Sequence, residues 1–394
     1  NERSLYFDLK TITYTAQYRL AEMKGWKTSF GINGMQQNNT NKGVEQLIPD
    51  YNLFDFGIYA FSQKTIKKLT VSGGVRFDNR NINAENLLDG ISIKGDAFKK
   101  SFSNVSGSIG LAAQVTNAVN LKFNIARGFR APSIPELASN GAHEGTIRYE
   151  YGNSNLKSET SLQFDGGVEY SADHLSIGLS AFYNSFNNFI FYRKLEASGG
   201  GDSLVNVNGD LLTGFKFDQT KASLTGLEAT VDIHPHPLDW LHILNTFSMV
   251  SGQLRTPIEG NKFLPFIPAS KLVTEFKGSF NKVTNNIRNG YVKFEMKNTY
   301  SKKNVFTTYN TETQTSGYTL LNAGLGADIV NKKNQTLFSL SFSALNIGDV
   351  AYQNHLSRLK YAAENVATGR SGVFNMGRNF SIKLNVPLNL NLGK

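Results

Sequence analysis

The stretch FSLSFSA at residues 338–344 alternates apolar and small polar residues without a break. Successive side chains of an extended strand point to opposite faces, so this stretch has one apolar and one polar face as a strand. As a helix it would have no coherent face. The stretch YVKFEMK at residues 291–297 repeats the pattern with charged residues on the polar side. The period of two therefore predicts long, two-faced β-strands.

The same alternation runs along the chain of 394 residues and predicts about fifteen strands. Most have about 11–16 residues, whereas a strand of a soluble protein has about 5–6. Roughly 9–11 tilted residues are enough to cross a bilayer. The predicted strands are 5–20, 25–39, 51–63, 68–81, 101–116, 118–129, 158–171, 173–194, 222–233, 239–252, 270–281, 288–303, 316–330, 334–347 and 376–390. Their length favours strands that span a membrane.

The connections between these strands are alternately short and long. The short ones lie near 21–24, 64–67, 117, 172, 234–238, 282–287 and 331–333, and the long ones near 40–50, 82–100, 130–157, 195–221, 253–269, 304–315 and 348–375. An up-and-down barrel gives this order, because its turns collect at one end and its loops at the other. The sequence thus predicts an all-β fold, a transmembrane antiparallel up-and-down β-barrel. Long loops are expected to be extracellular, and short turns and the C-terminus periplasmic.

The composition agrees with a barrel and excludes other classes. Glycine (36 residues) is common, proline (9) is rare, aromatic residues reach 12%, and cysteine is absent. No apolar run approaches the roughly 18 residues of a transmembrane helix, and the lack of cysteine excludes disulfides and thiol chemistry. The net charge of +10 comes from scattered lysines and arginines. Nucleic acid is therefore not an expected partner.

Six short motifs follow one another along the chain. FNIARGFRAPSIPEL (123–137) ends one predicted strand and GNSNLKSET (152–160) begins the next; LTGLE (224–228), LPFIPA (264–269), ALNIGD (344–349) and MGRNF (376–380) come after them. In this order they resemble the motifs of TonB-dependent outer-membrane receptors. The chain departs from that family at Ser154 and Ser158, where proline is usual, and at its last residue, Lys394, where an aromatic residue is common.

The resemblance implies a 22-stranded barrel that is filled by an N-terminal plug domain. Residues 1–394 would be the C-terminal portion of the β-barrel domain, with the plug and the first strands missing. It also implies TonB-dependent active import of a scarce nutrient, such as a ferric siderophore or haem, across the outer membrane. The implied partners are the TonB-ExbB-ExbD complex, acting through the plug, a small-molecule nutrient or metal chelate, and outer-membrane lipid. A surface lipoprotein partner and the alternative of a passive porin-like or structural barrel remain open.

The candidate substrate-binding residues lie in two long loops. They are His143, Glu144, Arg148, Tyr149 and Tyr151 in loop 130–157, and His355 and Arg358 in loop 348–375. Arginine and tyrosine suit an anionic, aromatic-rich chelate, although loops are polar in any case. His143 and His355 are also candidates for haem ligation.

No catalytic residue and no cofactor is predicted, since no Ser/His/Asp set occurs at a meaningful spacing. The run His234-Pro235-His236-Pro237 could offer two imidazoles to a metal ion. Proline is a common turn former, however, and the run falls in a predicted short turn. We therefore interpret it as a turn and predict no metal ligand.

Overall fold

The computed structural model describes residues 4–143 and 148–388. Its strands are β1 (Phe7–Arg19), β2 (Trp26–Asn41), β3 (Tyr51–Ile66), β4 (Leu69–Ala84), β5 (Leu87–Asp89), β6 (Ser92–Gly95), β7 (Phe98–Gln114), β8 (Val119–Arg130), β9 (Asn140–His143), β10 (Arg148–Tyr151), β11 (Glu159–Ala172), β12 (Leu175–Lys194), β13 (Leu204–Val207), β14 (Asp210–Ile233), β15 (Leu241–Ile258), β16 (Asn261–Phe263), β17 (Lys271–Lys282), β18 (Ile287–Thr299), β19 (Tyr318–Val330), β20 (Thr336–Leu345), β21 (Glu364–Asn365), β22 (Arg370–Ser371) and β23 (Asn379–Asn385). The helix α1 (Ile134–Ala138) and the 3-10 helices Thr308–Asn310 and Arg358–Tyr361 lie in loops. Among the described residues, no helix has the length and apolar character needed to cross a membrane.

The long strands form one continuous wall. Each pairs in antiparallel fashion with the next long strand; β3 and β4, for example, pair from Tyr51–Ala84 to Ile66–Leu69. Within the described residues no pairing joins β1 to β23, so these strands are the two edges of the wall. The wall contains fifteen long strands, which confirms the predicted number and the antiparallel up-and-down order.

The alternation of connections is also confirmed. The short-turn rim consists of residues 20–25, 67–68, 115–118, 173–174, 234–240, 283–286 and 331–335. The long-loop rim consists of the described residues of loops 42–50, 85–97, 131–158, 195–209, 259–270, 300–317 and 346–378; residues 144–147 lie outside the described part. The placement of the long-loop rim outside the cell stays a prediction.

The two faces of the wall differ as the sequence period requires. On β18 the apolar side chains of Val292 and Phe294 are 59% and 42% exposed. The alternate residues Lys293 and Glu295 point to the other face. Lys293 Nζ lies 3.3 Å from Glu275 Oε2, and Asn322 donates a 2.6 Å hydrogen bond to Glu295. An exposed apolar face of this extent is unusual for a soluble monomer. It is the lipid-facing surface expected of a membrane barrel, with the polar face turned inward.

Some predicted boundaries are wrong because loops contain strands of their own. Residues 210–221 are predicted as loop, but they form the first half of β14. Residues 215–220 pair with the end of β12 beyond a bulge at Phe186–Phe189, and residues 210–213 pair with β13. At the C-terminal end, β23 stops at Asn385, although the prediction continued to residue 390. Pro387 has no N–H for a further ladder bond, which suits an end there; residues 389–390 lie outside the described part.

The long loops are packed against one another and do not hang free. One apolar cluster joins loops 42–50 and 131–158 to the strand ends: Leu47, Ile48, Tyr51, Leu53, Ile82, Ala84, Phe102, Ala131, Ile134, Leu137, Leu156 and Ile190. A second cluster contains Phe186, Ala222, Leu254, Leu264, Ile267 and Phe306. Burial of these side chains therefore gives the long-loop rim a defined shape.

Three loops meet at the buried carboxylate of Glu312. Its Oε1 accepts a 2.8 Å hydrogen bond from Phe266 N, and its Oε2 accepts a 3.1 Å bond from Phe306 N. His355 Nε2 lies 3.2 Å from the same Oε1, and both side chains are 1% exposed. This Glu312 junction connects loops 259–270, 300–317 and 346–378.

Replacing Val292 with lysine should destabilise the folded protein, because it places a charge on the lipid face near the middle of β18. The expected cost is about 2–4 kcal/mol at the bilayer midplane. Thr230→Lys is the matched control, since Thr230 is nearly isosteric with valine and lies on the polar face beside Glu228 in a shared cavity. Denaturant titration of refolding into lipid vesicles measures both. Equal losses would contradict the assignment of faces.

Replacing Glu312 with alanine should loosen the long-loop rim without unfolding the wall. Two backbone N–H groups and His355 would lose their buried partner, at about 1–3 kcal/mol for each unsatisfied group. We expect faster cleavage of loops 300–317 and 346–378 in limited proteolysis, with an unchanged β-sheet signal in circular dichroism. Cleavage at the wild-type rate would show that the junction does not hold these loops.

Candidate functional site

The motif at the end of β8 builds the base of the long-loop rim. Arg130 donates to both carboxylate oxygens of Glu136, at 2.8 and 2.7 Å, and lies 3.4 Å from Glu159 Oε2. Glu136 also accepts a 2.8 Å bond from Ser133 N at the start of α1, and Glu159 accepts one of 2.8 Å from Ile190 N. These charge-assisted bonds fix α1 against the ends of β11 and β12. The arginine and the two glutamates of the first two motifs are thus one structural unit.

Two further motif positions have a clear structural reason. A Cβ atom on Gly152 would lie 2.5 Å from Ala138 N, so only glycine allows the chain to pass α1 this closely. On the same rim, near the β23 edge of the wall, Asp349 Oδ1 accepts a 2.8 Å bond from Arg378 N, and Arg378 Nε donates to Ile347 O at 2.8 Å. The last two motifs therefore bind each other where β20 leaves the wall and β23 returns.

Arg148 is placed over the rim by a short parallel pairing. β10 pairs with β14 through residues 213–216, and it forms a hairpin with β9. The side chain of Arg148 is buried, forms an ion pair with Glu150, and places its guanidinium 4.5 Å from the ring centroid of Tyr192. Arg148 is therefore held inside the rim and does not extend into solvent.

The ring of Tyr192 brings together residues from four segments. Besides Arg148, the guanidinium of Arg358 lies 5.3 Å from its centroid, and Phe266 stacks on it at 4.4 Å. Phe215 and Phe217 of β14 make edge contacts at 5.8 and 6.1 Å. We call these residues the Tyr192 cluster. It unites two of the sequence-predicted residues, Arg148 and Arg358, that lie in different loops.

Arg358 differs from Arg148 in its exposure. Its side chain is exposed at the start of the 3-10 helix Arg358–Tyr361, and within residues 4–143 and 148–388 it has no carboxylate partner. A cation beside aromatic rings and without a fixed anion is suited to bind an anionic aromatic ligand.

Tyr149 and Tyr151 form a half-buried pair with ring centroids 4.8 Å apart. The Tyr149 hydroxyl donates a 2.8 Å hydrogen bond to Asn140 Oδ1. Burial, followed by the neighbouring Tyr151 and Asp89, raises the pKa of Tyr149 to about 12. At physiological pH the side chain is therefore a neutral hydroxyl, which agrees with its role as a hydrogen-bond donor to Asn140.

The two predicted loop histidines have different surroundings. His355 is buried in the Glu312 junction, where its Nδ1 is 2.8 Å from Thr315 Oγ1. This burial makes His355 a connector of loops in the described structure and does not favour direct contact with a solute. His143 is half-buried at the end of β9, while Glu144 lies outside the described residues.

Sequence analysis missed a cavity of about 520 Å³ on the inner face of the wall, which several charged side chains line. Arg80 forms two 2.7 Å bonds with Asp55, and Arg76 pairs with Asp78 and bonds to Asn33. Arg130 lies at the edge of the same cavity. The signal was available in the alternating charges of residues 76, 78 and 80, which share one face of β4.

The chain matches known proteins in sequence. The family model described as "TonB dependent receptor-like, beta-barrel" matches residues 1–347. The ferric enterobactin receptor of Pseudomonas aeruginosa is 32% identical over 148 residues, which are 33% of this chain and 18% of that protein. The ferrienterobactin receptor of Escherichia coli is 28% identical over 222 residues, 54% of this chain and 25% of that protein. The TonB-dependent heme receptor A of Haemophilus ducreyi is 27% identical over 186 residues, 46% and 24% respectively.

Solved structures share the fold at low sequence identity. The copper transporter OprC superposes with a TM-score of 0.76 at 14% identity, covering 96% of this chain and 57% of that one. The ferric enterobactin receptor of Pseudomonas aeruginosa in complex with enterobactin gives a TM-score of 0.64 at 20% identity, covering 96% and 54%.

The chain thus spans little more than half of these solved structures. All of these relatives are named as receptors or transporters, and none of them is named as an enzyme. The family model matches residues 1–347, and the fold agrees over nearly the whole chain. This protein therefore belongs to the family of TonB-dependent receptors, and the chain forms part of the wall of their β-barrel domain.

Proposed function

We propose that this chain is the C-terminal part of the barrel of an outer-membrane receptor that imports a ferric siderophore, haem or a similar metal chelate. Family membership, which implies the outer membrane, carries the proposal. Three of the matched relatives are named as enterobactin or heme receptors. Transport through a barrel makes and breaks no bond, which agrees with the non-enzymatic family.

The long-loop rim supplies the solute contacts in this proposal. Arg358 is exposed above the Tyr192 ring, and Tyr149 and Tyr151 are half-buried in the neighbouring segment. Anionic chelates with aromatic groups need both a cation and flat apolar surfaces. The buried residues Arg148 and His355 contribute indirectly in this arrangement. Arg148 fixes the ring of Tyr192, and His355 fixes loop 346–378.

The remainder of the receptor is part of the same proposal. The wall has two free edges in the described structure, and the chain covers 57% of the OprC chain. A closed barrel needs further strands to pair those edges, because unpaired backbone groups are costly in hydrocarbon. We propose that earlier strands and a plug complete the receptor, and that the TonB-ExbB-ExbD complex acts through the plug. The inner-face charges around Arg76 and Arg80 would then face the plug or the passing solute.

The receptor function as a whole is tested by growth under iron limitation. A deletion strain should lose growth on at least one of two iron sources, ferric enterobactin or haemin, and regain it with the gene and an intact TonB complex. Growth that is rescued equally in a strain without TonB would favour the passive porin-like alternative.

Arg358→Ala should weaken solute binding by about tenfold to a hundredfold, because a charge-assisted hydrogen bond contributes about 1.5–3 kcal/mol. The measurement is a binding titration of the complete receptor in detergent with the iron source that supports growth. Arg370→Ala is the matched control: Arg370 is exposed in the same loop and contacts an aromatic ring, Phe374 at 5.2 Å, but it lies outside the Tyr192 cluster. Equal affinities of both variants would remove Arg358 from the proposed contacts, while growth would still test the import function.

A further inference from the structure

Four of the six histidines of the chain lie close together at the short-turn end of the wall, three in turns of the short-turn rim and His242 at the start of β15. The rings of His234 and His242 have centroids 4.2 Å apart, and those of His174 and His236 are 5.3 Å apart. The backbone N–H of His234 donates a 2.9 Å hydrogen bond to His174 O, which joins the turn after β11 to the turn after β14. This rim is at the opposite end of the strands from the Tyr192 cluster.

Strand geometry aims three potential ligands at one point. Asp232 and His234 are two residues apart on one extended segment, so they share a face. The pairing of Ile233 with Ile243 brings His234 opposite His242. The three side chains therefore share the polar face, and their ligand atoms all lie within 4.8 Å of one another.

The distances suit a single metal ion. His234 Nε2 is 2.9 Å and His242 Nδ1 is 4.0 Å from Asp232 Oδ2. Zn²⁺ bonds of about 2.1 Å in tetrahedral geometry place two ligand atoms about 3.4 Å apart. The two distances lie on either side of this value, so imidazole rotations that move each nitrogen by about half an ångström would bring both to it.

Two polar atoms of these three side chains lack hydrogen bonds in the part of the chain that the structure describes. Asp232 Oδ1 and His234 Nε2 are buried and have no aligned partner, although Nε2 is only 2.9 Å from Asp232 Oδ2. Leaving such an atom unpaired costs about 1–3 kcal/mol, and a cation would bind both side chains. The side chains of Asp232 and His242 are 29% and 37% exposed, which leaves an open side for entry of the ion and for water.

The neighbouring positive charge is turned away. Lys277 is the register partner of His242, on the same face. Its ammonium lies 5.8 Å from the ring centroid of Tyr291 on β18. Since β18 is beyond β17 as seen from β15, this charge is directed away from Asp232.

We propose that Asp232, His234 and His242 bind one divalent transition-metal ion, such as Zn²⁺. Two imidazole nitrogens and one carboxylate oxygen suit Zn²⁺, with the remaining position taken by water. The sequence pointed to the pair His234 and His236, but His236 is 68% exposed and faces Asp239. In the structure, the potential ligands that lie beside His234 are Asp232 and His242. The ion would connect β14 and β15 across their turn, apart from any solute bound at the long-loop rim.

Calorimetric titration of the metal-free complete receptor with Zn²⁺ tests the site. The double variant His234→Gln/His242→Gln and the single variant Asp232→Asn should each weaken Zn²⁺ binding at least tenfold. His236→Gln is the matched control in the same turn and should bind Zn²⁺ like the wild type. Heat-dependent electrophoretic mobility checks that each barrel is folded.

A second readout needs no variant. Zn²⁺ binds only the folded arrangement, so it should raise the melting temperature of the wild-type receptor. The proposal is overturned if the wild type shows neither binding heat nor a rise in melting temperature. It is also overturned if the double variant keeps wild-type affinity, or if His236→Gln alone abolishes binding.

Discussion

The backbone hydrogen bond between neighbouring strands is the interaction on which the rest of this molecule depends. Hydrocarbon offers no partner to a free N–H or C=O group, so a spanning sheet must satisfy every such group internally. In the described part of the chain, fifteen strands in sequential antiparallel order form one such ladder, with local register shifts at three pairings and with unpaired edges at β1 and β23. The exposed apolar side chains, such as Val292, meet the other requirement of hydrocarbon: they cover the outer face of the paired backbone with apolar groups.

The two rims lie outside the hydrocarbon, so their backbone groups need not all be paired within a sheet, and the two rims are ordered in different ways. At the long-loop rim, apolar clusters and buried carboxylates replace the ladder as the source of order. Glu159 accepts the Ile190 N–H and so connects the start of β11 to β12. Glu312 accepts N–H groups from its own loop and from loop 259–270 and contacts His355, so this one carboxylate fixes the relative position of three loops. Arg148 and Arg358 can then meet at Tyr192 although they belong to separate loops.

At the short-turn end of the wall, the proposed metal ligands are positioned by the paired strands. Asp232, His234 and His242 occupy positions whose spacing is fixed by strand register and not by loop packing. The charges of the inner face are also placed by a strand, since Arg76, Asp78 and Arg80 occupy alternate positions of β4. Rigid strands therefore carry the wall charges and the proposed metal ligands, while packed loops carry the proposed solute contacts.

The sequence by itself determined the strands, their order and their two faces, because a period of two acts within each segment and requires no knowledge of distant residues. It also identified the family motifs and the arginines and tyrosines of the long loops. Only the tertiary structure decided which of these side chains are exposed, because the exposure of Arg358 and the burial of His355 depend on how separate loops pack. The same holds for His242: its distance from Asp232 follows from the register between β14 and β15, which periodicity along one strand does not specify.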